Sequence, residues 1–157
     1  MEFEEALATN RALVKVARLY RAAQAASLSE LGLHAGQDVL LWHLGRQPDG
    51  MLISELAGRL GVEQPTVTRS LSRLAGGEWF VREAVPGDRR ASRVRLTGKG
   101  AAAIPRIEAA WQALAETATA GMDAGQRADL TGLLEKVRGN LLGLGVDEVL
   151  VRGDSAS

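Results

Sequence analysis

The sequence predicts a mainly α-helical fold with a small β-wing, in which a winged helix-turn-helix lobe lies between long N- and C-terminal helices. Three observations support this fold class. Residues 64–75 carry a helical apolar stripe that begins with a proline and follows a glycine turn. Residues 80–85 and 92–97 alternate as two short strands. Long stretches with helical spacing of apolar residues occupy both ends of the chain.

The N-terminal part of the chain is expected to contain three helices. Residues 3–27 lack glycine and proline and repeat apolar residues at helical spacing, which predicts one long helix. A second helix is expected over about 35–46, terminated by the Pro-Asp-Gly loop at 48–50. Ser54 is expected to cap the third helix, with Glu55 in the first turn, where the helix dipole favours an acid.

The fourth helix, expected over about 64–75 after a turn at Gly61, has one apolar and one polar face. Val67, Leu71 and Leu74 are spaced i, i+4 and i+7, so they predict the side that packs on the core. A short helix with small polar and arginine residues outward can enter a DNA major groove. The residues on or near that outward face are Pro65, Thr68, Arg69, Ser72 and Arg73.

A β-hairpin is predicted directly after this helix. Its strands are expected at 80–85 and 92–97, joined by a loop at 86–88, with Arg93 and Arg95 facing outward. The inward apolar residues are expected to include Val81, Val85, Val94 and Leu96. The basic tip, which can reach a flanking minor groove or phosphates, is formed by Asp88, Arg89 and Arg90.

The C-terminal part of the chain predicts two further helices. Thr97 is expected to cap a long helix that runs to about Thr119 and is interrupted near its start by Pro105. Asp123, with Gln126 three residues later, forms a capping-box pattern for the last helix. That helix carries Leu130, Leu133, Leu134, Val137, Leu141 and Leu142.

These leucines exceed the need of one small winged-helix core and predict a helical interface completed by a two-fold partner. An ordinary intramolecular helix pair, in which residues 1–27 cover them, is the alternative. The whole chain, 1–157, is expected to form a single domain. Within it, 28–100 would form the DNA-binding lobe and 1–27 with 101–146 the dimerisation region, followed by a disordered tail at 151–157.

The charge is unevenly distributed although the net charge is zero. The segment from Arg59 to Lys99 contains nine basic and four acidic residues, a local excess of +5. A neutral protein with one basic face can select DNA by that face and repel it elsewhere, although charge runs can also be ordinary solvated surface. The segment therefore indicates a double-stranded DNA partner.

Composition excludes several other classes. The chain has no cysteine, which excludes disulfides, thiolate metal sites and thiol-based peroxide sensing. No apolar run approaches a bilayer span, and the acidic start MEFEE lacks the basic region of a signal peptide. We therefore expect a cytoplasmic, nucleoid-associated protein with no membrane contact.

The order of several short motifs resembles the multiple-antibiotic-resistance regulator (MarR) family of bacterial transcription factors, over nearly the whole chain. The matching residues are Glu55-Leu56-Ala57, Pro65-Thr66-Val67-Thr68-Arg69, Leu74, Arg82, Asp88-Arg89-Arg90, Leu96-Thr97 and Gly100. Two positions depart from the family pattern. Glu63 stands at a helix cap where Ser, Thr or Asp is more usual. Glu78 replaces a glycine, so we expect Gly76 and Gly77 to supply the left-handed conformation.

The resemblance implies a homodimeric repressor whose two recognition helices enter successive major grooves of a pseudo-palindromic operator. By position, the residues that meet bases and phosphates would be Gln64, Pro65, Thr66, Thr68, Arg69 and Arg73. Arg90 would enter the minor groove and Arg89 would lie nearer phosphate, while Asp88 would orient Arg90 through a charge-assisted pair.

Many members of this family bind a small aromatic effector between the dimerisation helices and the DNA-binding lobe. The residues of this chain that could contribute are Tyr20, Trp42, His43 and Trp111, although aromatics at helical spacing are also common core residues. No cofactor is expected.

Three other functions were weighed. A metal-responsive regulator would use His34, Asp38 and His43, yet capping or surface hydrogen bonding explains such a set more simply, since structural zinc usually takes four protein ligands. An enzyme is disfavoured because the chain has no glycine-rich phosphate loop and no paired carboxylates at a diagnostic spacing. A winged helix used only for protein contacts would not need the arginines Arg69, Arg73, Arg89 and Arg90.

Overall fold

The computed structural model describes residues 1–144, apart from the side chains of Ala75, Arg89 and Arg90. The expected disordered tail at 151–157, and the last two residues of the expected dimerisation region, lie outside the described residues.

Within that range the chain is mostly helical and carries a small antiparallel sheet of three strands in the order β1-β3-β2. The helices are α1 (Phe3–Ser29), α2 (Gln37–Gly45), α3 (Ile53–Leu60), α4 (Gln64–Leu74), α5 (Gly98–Ala118) and α6 (Ala124–Leu142). The strands are β1 (Met51–Leu52), β2 (Phe80–Val85) and β3 (Asp88–Leu96). The predicted fold class, a winged helix between long terminal helices, is confirmed.

The apolar core lies inside the winged lobe. It is built where α2, α3, α4, α5 and the sheet meet, and Leu41, Leu56, Val94 and Ile107 are fully buried there. Leu28, near the end of α1, joins the same cluster and fixes that end of the long helix to the lobe. The core therefore sets the positions of α4 and the wing, the two elements that carry the candidate site.

The helix α3 begins differently from the prediction, because Ser54 is not its cap. The N-cap position is Leu52, whose backbone N–H donates to the Glu55 side chain (2.8 Å to Oε2). The cause is the strand β1, which pairs Met51 and Leu52 with β3 and delivers the chain straight into the helix. Ser54 therefore lies within the first turn.

The junction between α4 and the wing also differs from the prediction. Residues Ala75–Gly77 form a 3₁₀ turn, and Glu78 itself adopts the left-handed conformation (φ 56°, ψ 29°). Gly77 is needed for a different reason, since a Cβ there would collide with the indole of Trp79. The glycine pair thus provides space for an aromatic ring, while Glu78 takes the conformation usually left to glycine.

The wing is longer than predicted on one side. The strand β3 begins at Asp88, so the turn is confined to Pro86 and Gly87, and the Asp88-Arg89-Arg90 run lies at the start of a strand instead of on the loop tip. Gly87 supplies the left-handed turn residue, with φ of 83°.

The inward face of β2 is also shifted by one residue. Val81 pairs with Arg95 and is 38% exposed, so its predicted inward position is wrong. Phe80 pairs with Leu96 and Arg82 pairs with the fully buried Val94. Since directly opposite residues share one face of an antiparallel pair, Phe80 and Arg82 face the lobe.

The predicted starts of the last two helices are confirmed. The Thr97 side chain accepts from the Gly100 N–H (3.1 Å) and its hydroxyl donates to the Glu78 carbonyl (2.6 Å). The helix α5 continues through Pro105 without interruption. Asp123 and Gln126 form the expected reciprocal capping box of α6.

Both terminal helices leave apolar side chains in contact with solvent. No residue of α6 is buried, and Leu133 and Leu141 are 63% and 52% exposed. On α1, Val16 and Leu19 are 60% and 71% exposed. The alternative in which α1 covers the leucines of α6 within one chain is therefore not observed. Among the helices of residues 1–144, none is long and apolar enough to cross a membrane.

Candidate nucleic-acid interface

The helix α4 has the two faces that the sequence predicted. Val67, Leu71 and Leu74 are buried in the core. The side chains of Gln64, Pro65, Thr68, Arg69 and Arg73 are exposed on the outer side, together with Ser72, while Thr66 is half-buried. The Ser72 hydroxyl donates to the Thr68 carbonyl (2.9 Å), so this hydroxyl is already used within the helix.

The direction of α4 is set by the turn before it. Gly61 ends α3 in the left-handed conformation (φ 63°), which a residue with a side chain adopts only at a cost. The Glu63 carbonyl then accepts from the Thr66 N–H (3.0 Å), and Pro65 lies in the first turn, where its missing N–H costs no hydrogen bond. The outer face of α4 is therefore presented at a defined angle beside α3.

The predicted basic residues of the wing lie on β3. Arg89 and Arg90 follow Asp88 along the strand, but their side chains lie outside the described part of the molecule. The Asp88 side chain accepts from the Ala91 N–H (3.2 Å to Oδ1), a contact that fixes the backbone at the start of the strand. The expected pairing of Asp88 with Arg90 stays a prediction.

Two other arginines of the wing are already engaged in contacts within the chain. Arg95, on the outer face of the sheet, pairs with Glu83 at 2.9 Å. Arg93 donates to the Gly50 carbonyl (3.1 Å) and ties the wing to the loop before β1. The local excess of positive charge is therefore not all available to a partner.

A groove of about 220 Å³ separates the start of α4 from the wing. Its lining comprises Leu52, Ile53, Ser54, Gln64, Thr68, Arg82, Ala91 and Ser92. Arg82 belongs to the motif run quoted above but was not among the predicted site residues. Its alternation with Phe80, which takes the inward position of β2, is the sequence signal that would have found it.

The aromatic residues predicted to form an effector site are only partly brought together. The rings of Trp42 and Trp111 lie 5.8 Å apart between centroids, and the ring of His43 lies 5.2 Å from that of Trp42. Tyr20 lies on α1, 42% exposed, and shares no ring contact with this group among the described residues. The cluster therefore consists of two helices, α2 and α5.

Beside this cluster, Asp38 forms a buried polar junction of α1, α2 and α5. Its carboxylate is fully buried and accepts from the Trp111 indole N–H (2.9 Å) and, at 3.4 Å, from the Gln24 amide. The other oxygen accepts from the Gly36 N–H (2.9 Å). Hydrogen bonds from several donors allow a carboxylate to be buried without a large desolvation cost.

The metal-binding alternative finds no ligand set here. In residues 1–144, no group of three or more His, Cys, Asp or Glu side chains is placed to hold a metal ion. Asp38 is used in the junction, and the His34 N–H donates to the Gln37 side chain (2.8 Å) at the start of α2. The His34 backbone thus acts in capping, as the simpler explanation expected.

Comparison with known proteins gives consistent results. A family model described as the MarR family matches residues 24–91, from the end of α1 into the wing. A crystal structure of a cysteine-to-serine mutant of MarR from E. coli, complexed with operator DNA, is 29% identical, with a TM-score of 0.71 over 87% of this chain and 98% of that one.

Two further structures align over similar lengths. A MarR transcriptional regulator from Methanosarcina mazei Go1 is 25% identical, with a TM-score of 0.70 over 87% of this chain and 97% of that one. A MarR family protein from Mycobacterium tuberculosis is 28% identical, with a TM-score of 0.63 over 81% and 91% of the two chains.

We expect the junction at Asp38 to stabilise the fold more than the neighbouring indole contact does. Trp111→Phe leaves a buried carboxylate oxygen with a single long hydrogen bond, so it should lower the free energy of unfolding by about 1–3 kcal/mol. Trp42→Phe is the matched control, because its indole donates to Glu108 (2.9 Å), an exposed acceptor that water can satisfy. Urea denaturation of both variants measures the difference. Equal losses would show that the Asp38 bond contributes nothing special.

Proposed function

The chain belongs to the MarR family of transcriptional regulators, and from this premise we propose that it is a homodimeric repressor of a pseudo-palindromic operator. The observation that carries the proposal is the outer face of α4, where Arg69 and Arg73 are exposed opposite a fully packed apolar stripe. A helix with this arrangement fits the DNA major groove. The E. coli MarR structure with operator DNA supports the same role for the matching fold.

The residues of α4 divide by the contacts their chemistry allows. Gln64 can pair bidentately with adenine, and Arg69 with guanine, while Thr68 offers a methyl group to thymine. Arg73, further along the helix, is suited to a phosphate. Thr66 and Pro65 belong to the first turn, where the half-buried Thr66 has less of its side chain available to DNA.

On the wing, we propose the minor groove for Arg90 and a phosphate for Arg89, as the family resemblance implies. Asp88 would hold Arg90 in place through a charge-assisted pair. In support, the Asp88 side chain already fixes the backbone of the strand at Ala91.

The exposed apolar surfaces of the terminal helices support the proposal of a homodimer. Monomeric proteins rarely leave such stripes in water, and a two-fold partner would cover them with the same residues. We therefore propose residues 28–100 as the DNA-binding lobe, with 1–27 and 101–146 as the dimerisation region. Two lobes related by a two-fold axis would present two α4 helices to successive major grooves.

We further propose that a small aromatic acid releases the operator by binding near Trp42 and Trp111. The guanidinium carbon of Arg46 lies 4.5 Å from the Trp42 ring centroid, which places a cation for a carboxylate beside two indoles. The adjacent Asp38 junction joins α1, α2 and α5. A ligand with different affinities for two arrangements of these helices would change the spacing of the recognition helices.

For the dimer, we expect sedimentation equilibrium at micromolar concentration to give twice the chain mass of 16.7 kDa. Leu133→Glu should shift the protein to monomer, because it places a charge in the proposed interface. Lys136→Glu changes charge on another side of α6 and should leave the dimer intact. A wild-type monomer that binds a single half-site tightly would rule out the dimeric mode.

For base reading, Arg69→Ala should cost roughly 1–3 kcal/mol of operator binding and relax the preference for one base within the half-site. Arg89→Ala should weaken all sequences similarly and lower the salt slope by about one unit, as expected for a lost phosphate contact. Fluorescence anisotropy with operator and single-base variants separates the two effects. Unchanged base preference in the Arg69 variant would contradict the assignment.

For release, we expect small aromatic acids to change the tryptophan fluorescence of the protein and to weaken operator binding by about 1–3 kcal/mol. Because coupling between binding sites is reciprocal, operator DNA should weaken these compounds by the same factor. Titrations with and without operator measure both directions. Compounds that bind the free protein and the DNA complex equally well are not inducers.

A further inference from the structure

The groove between α4 and the wing has the composition of an anion site. Its polar lining consists of the Ser54, Thr68 and Ser92 hydroxyls, the Gln64 amide and the Arg82 guanidinium, and it contains no carboxylate. The other sizeable groove, near α3, contrasts with it because Glu55 lies there together with Arg59. Only the groove beside α4 therefore offers donors and a positive charge without a competing acid.

Arg82 is the residue that gives this groove its charge. Its backbone is paired with Val94, so its side chain leaves the sheet on the face that covers the core, and it is exposed at the edge of that face. Arg93 and Arg95, by contrast, bind Gly50 and Glu83. Within the described residues Arg82 has no hydrogen bond or ion pair, so its guanidinium is available to a ligand.

The position of the groove selects the kind of anion. It lies between α4, assigned to the major groove, and the wing, assigned to the adjacent minor groove. The sugar–phosphate backbone is what separates those two grooves in a duplex, so it must pass between the two protein elements. An arginine with neighbouring hydroxyl and amide donors is well suited to a phosphate, and contacts of this type position a protein without reading sequence.

We propose that this groove seats one backbone phosphate of each operator half-site, with Arg82 as its counter-ion and Ser54, Gln64, Thr68 and Ser92 as neutral donors. The inference rests on the proposed operator function and adds a clamp between the reading helix and the wing. Gln64 and Thr68 would then set the depth of α4 in the groove as well as contact bases.

The test compares salt dependence in three variants of the full chain, by anisotropy with operator and with unrelated duplex. Arg82→Gln should lower the slope of log K against log salt by about one unit per phosphate lost, which is roughly tenfold in affinity for each half-site at 0.1 M salt. The ratio of operator to unrelated affinity should not change. Arg82→Lys should keep most of the slope, and Arg95→Gln, on the outer face, should leave it unaltered.

A second measurement identifies the phosphate directly. Single methylphosphonate substitutions along the operator neutralise one phosphate at a time. One position in each half-site should weaken the wild type and Arg95→Gln but have no further effect on Arg82→Gln. If wild type binds operator but Arg82→Gln keeps the full slope, or loses base preference, the phosphate clamp is wrong. If wild type binds no selected duplex, the proposed function itself fails.

Discussion

The interface depends on one constraint, the burial of the apolar stripe of α4. Successive residues of a helix are about 100° apart, so fixing Val67, Leu71 and Leu74 against the core fixes the direction of every other side chain on α4. Turning the helix by a quarter would expose leucines and bring a guanidinium towards an apolar interior, which costs several kcal/mol. Arg69 and Arg73 therefore stay outward without any hydrogen bond to hold them there. The same core fixes the sheet through Val94, and so sets the separation between α4 and the wing.

A second constraint joins this lobe to the long helices. The helix α5 starts at the base of the wing, where the Thr97 hydroxyl binds the Glu78 carbonyl, and reaches the buried Asp38 junction through Trp111. Asp38 also receives the Gln24 amide of α1, so one carboxylate contacts the ends of three helices. A shift of α1 or α5 cannot leave these bonds intact unless α2 moves with it. This connection gives a physical route from the dimerisation helices to the reading helix, as a ligand-controlled regulator requires.

Features that depend on neighbouring residues were predicted from the sequence, and features that depend on strand register were not. The stripe of α4, the Gly61 turn, the Thr97 cap and the Asp123 capping box are local patterns, and each was confirmed. Val81 was placed inward because valine favours buried strand positions, but Phe80 takes that face and shifts the alternation by one residue. The same shift hid Arg82. Asp38 was weighed as a metal ligand because its donors, Gln24 and Trp111, lie 14 and 73 residues away and no local pattern brings them together.

Methylation interference on a selected operator most directly tests the central claim that α4 reads bases in the major groove. Methylation of guanine N7 adds a group to the major-groove edge that Arg69 is proposed to contact. We expect such methylation to abolish binding at guanines in two half-sites about one helical turn apart, and to matter much less for Arg69→Ala. Binding that survives methylation of every guanine within the protected region, in wild type and variant alike, would contradict major-groove reading by this helix.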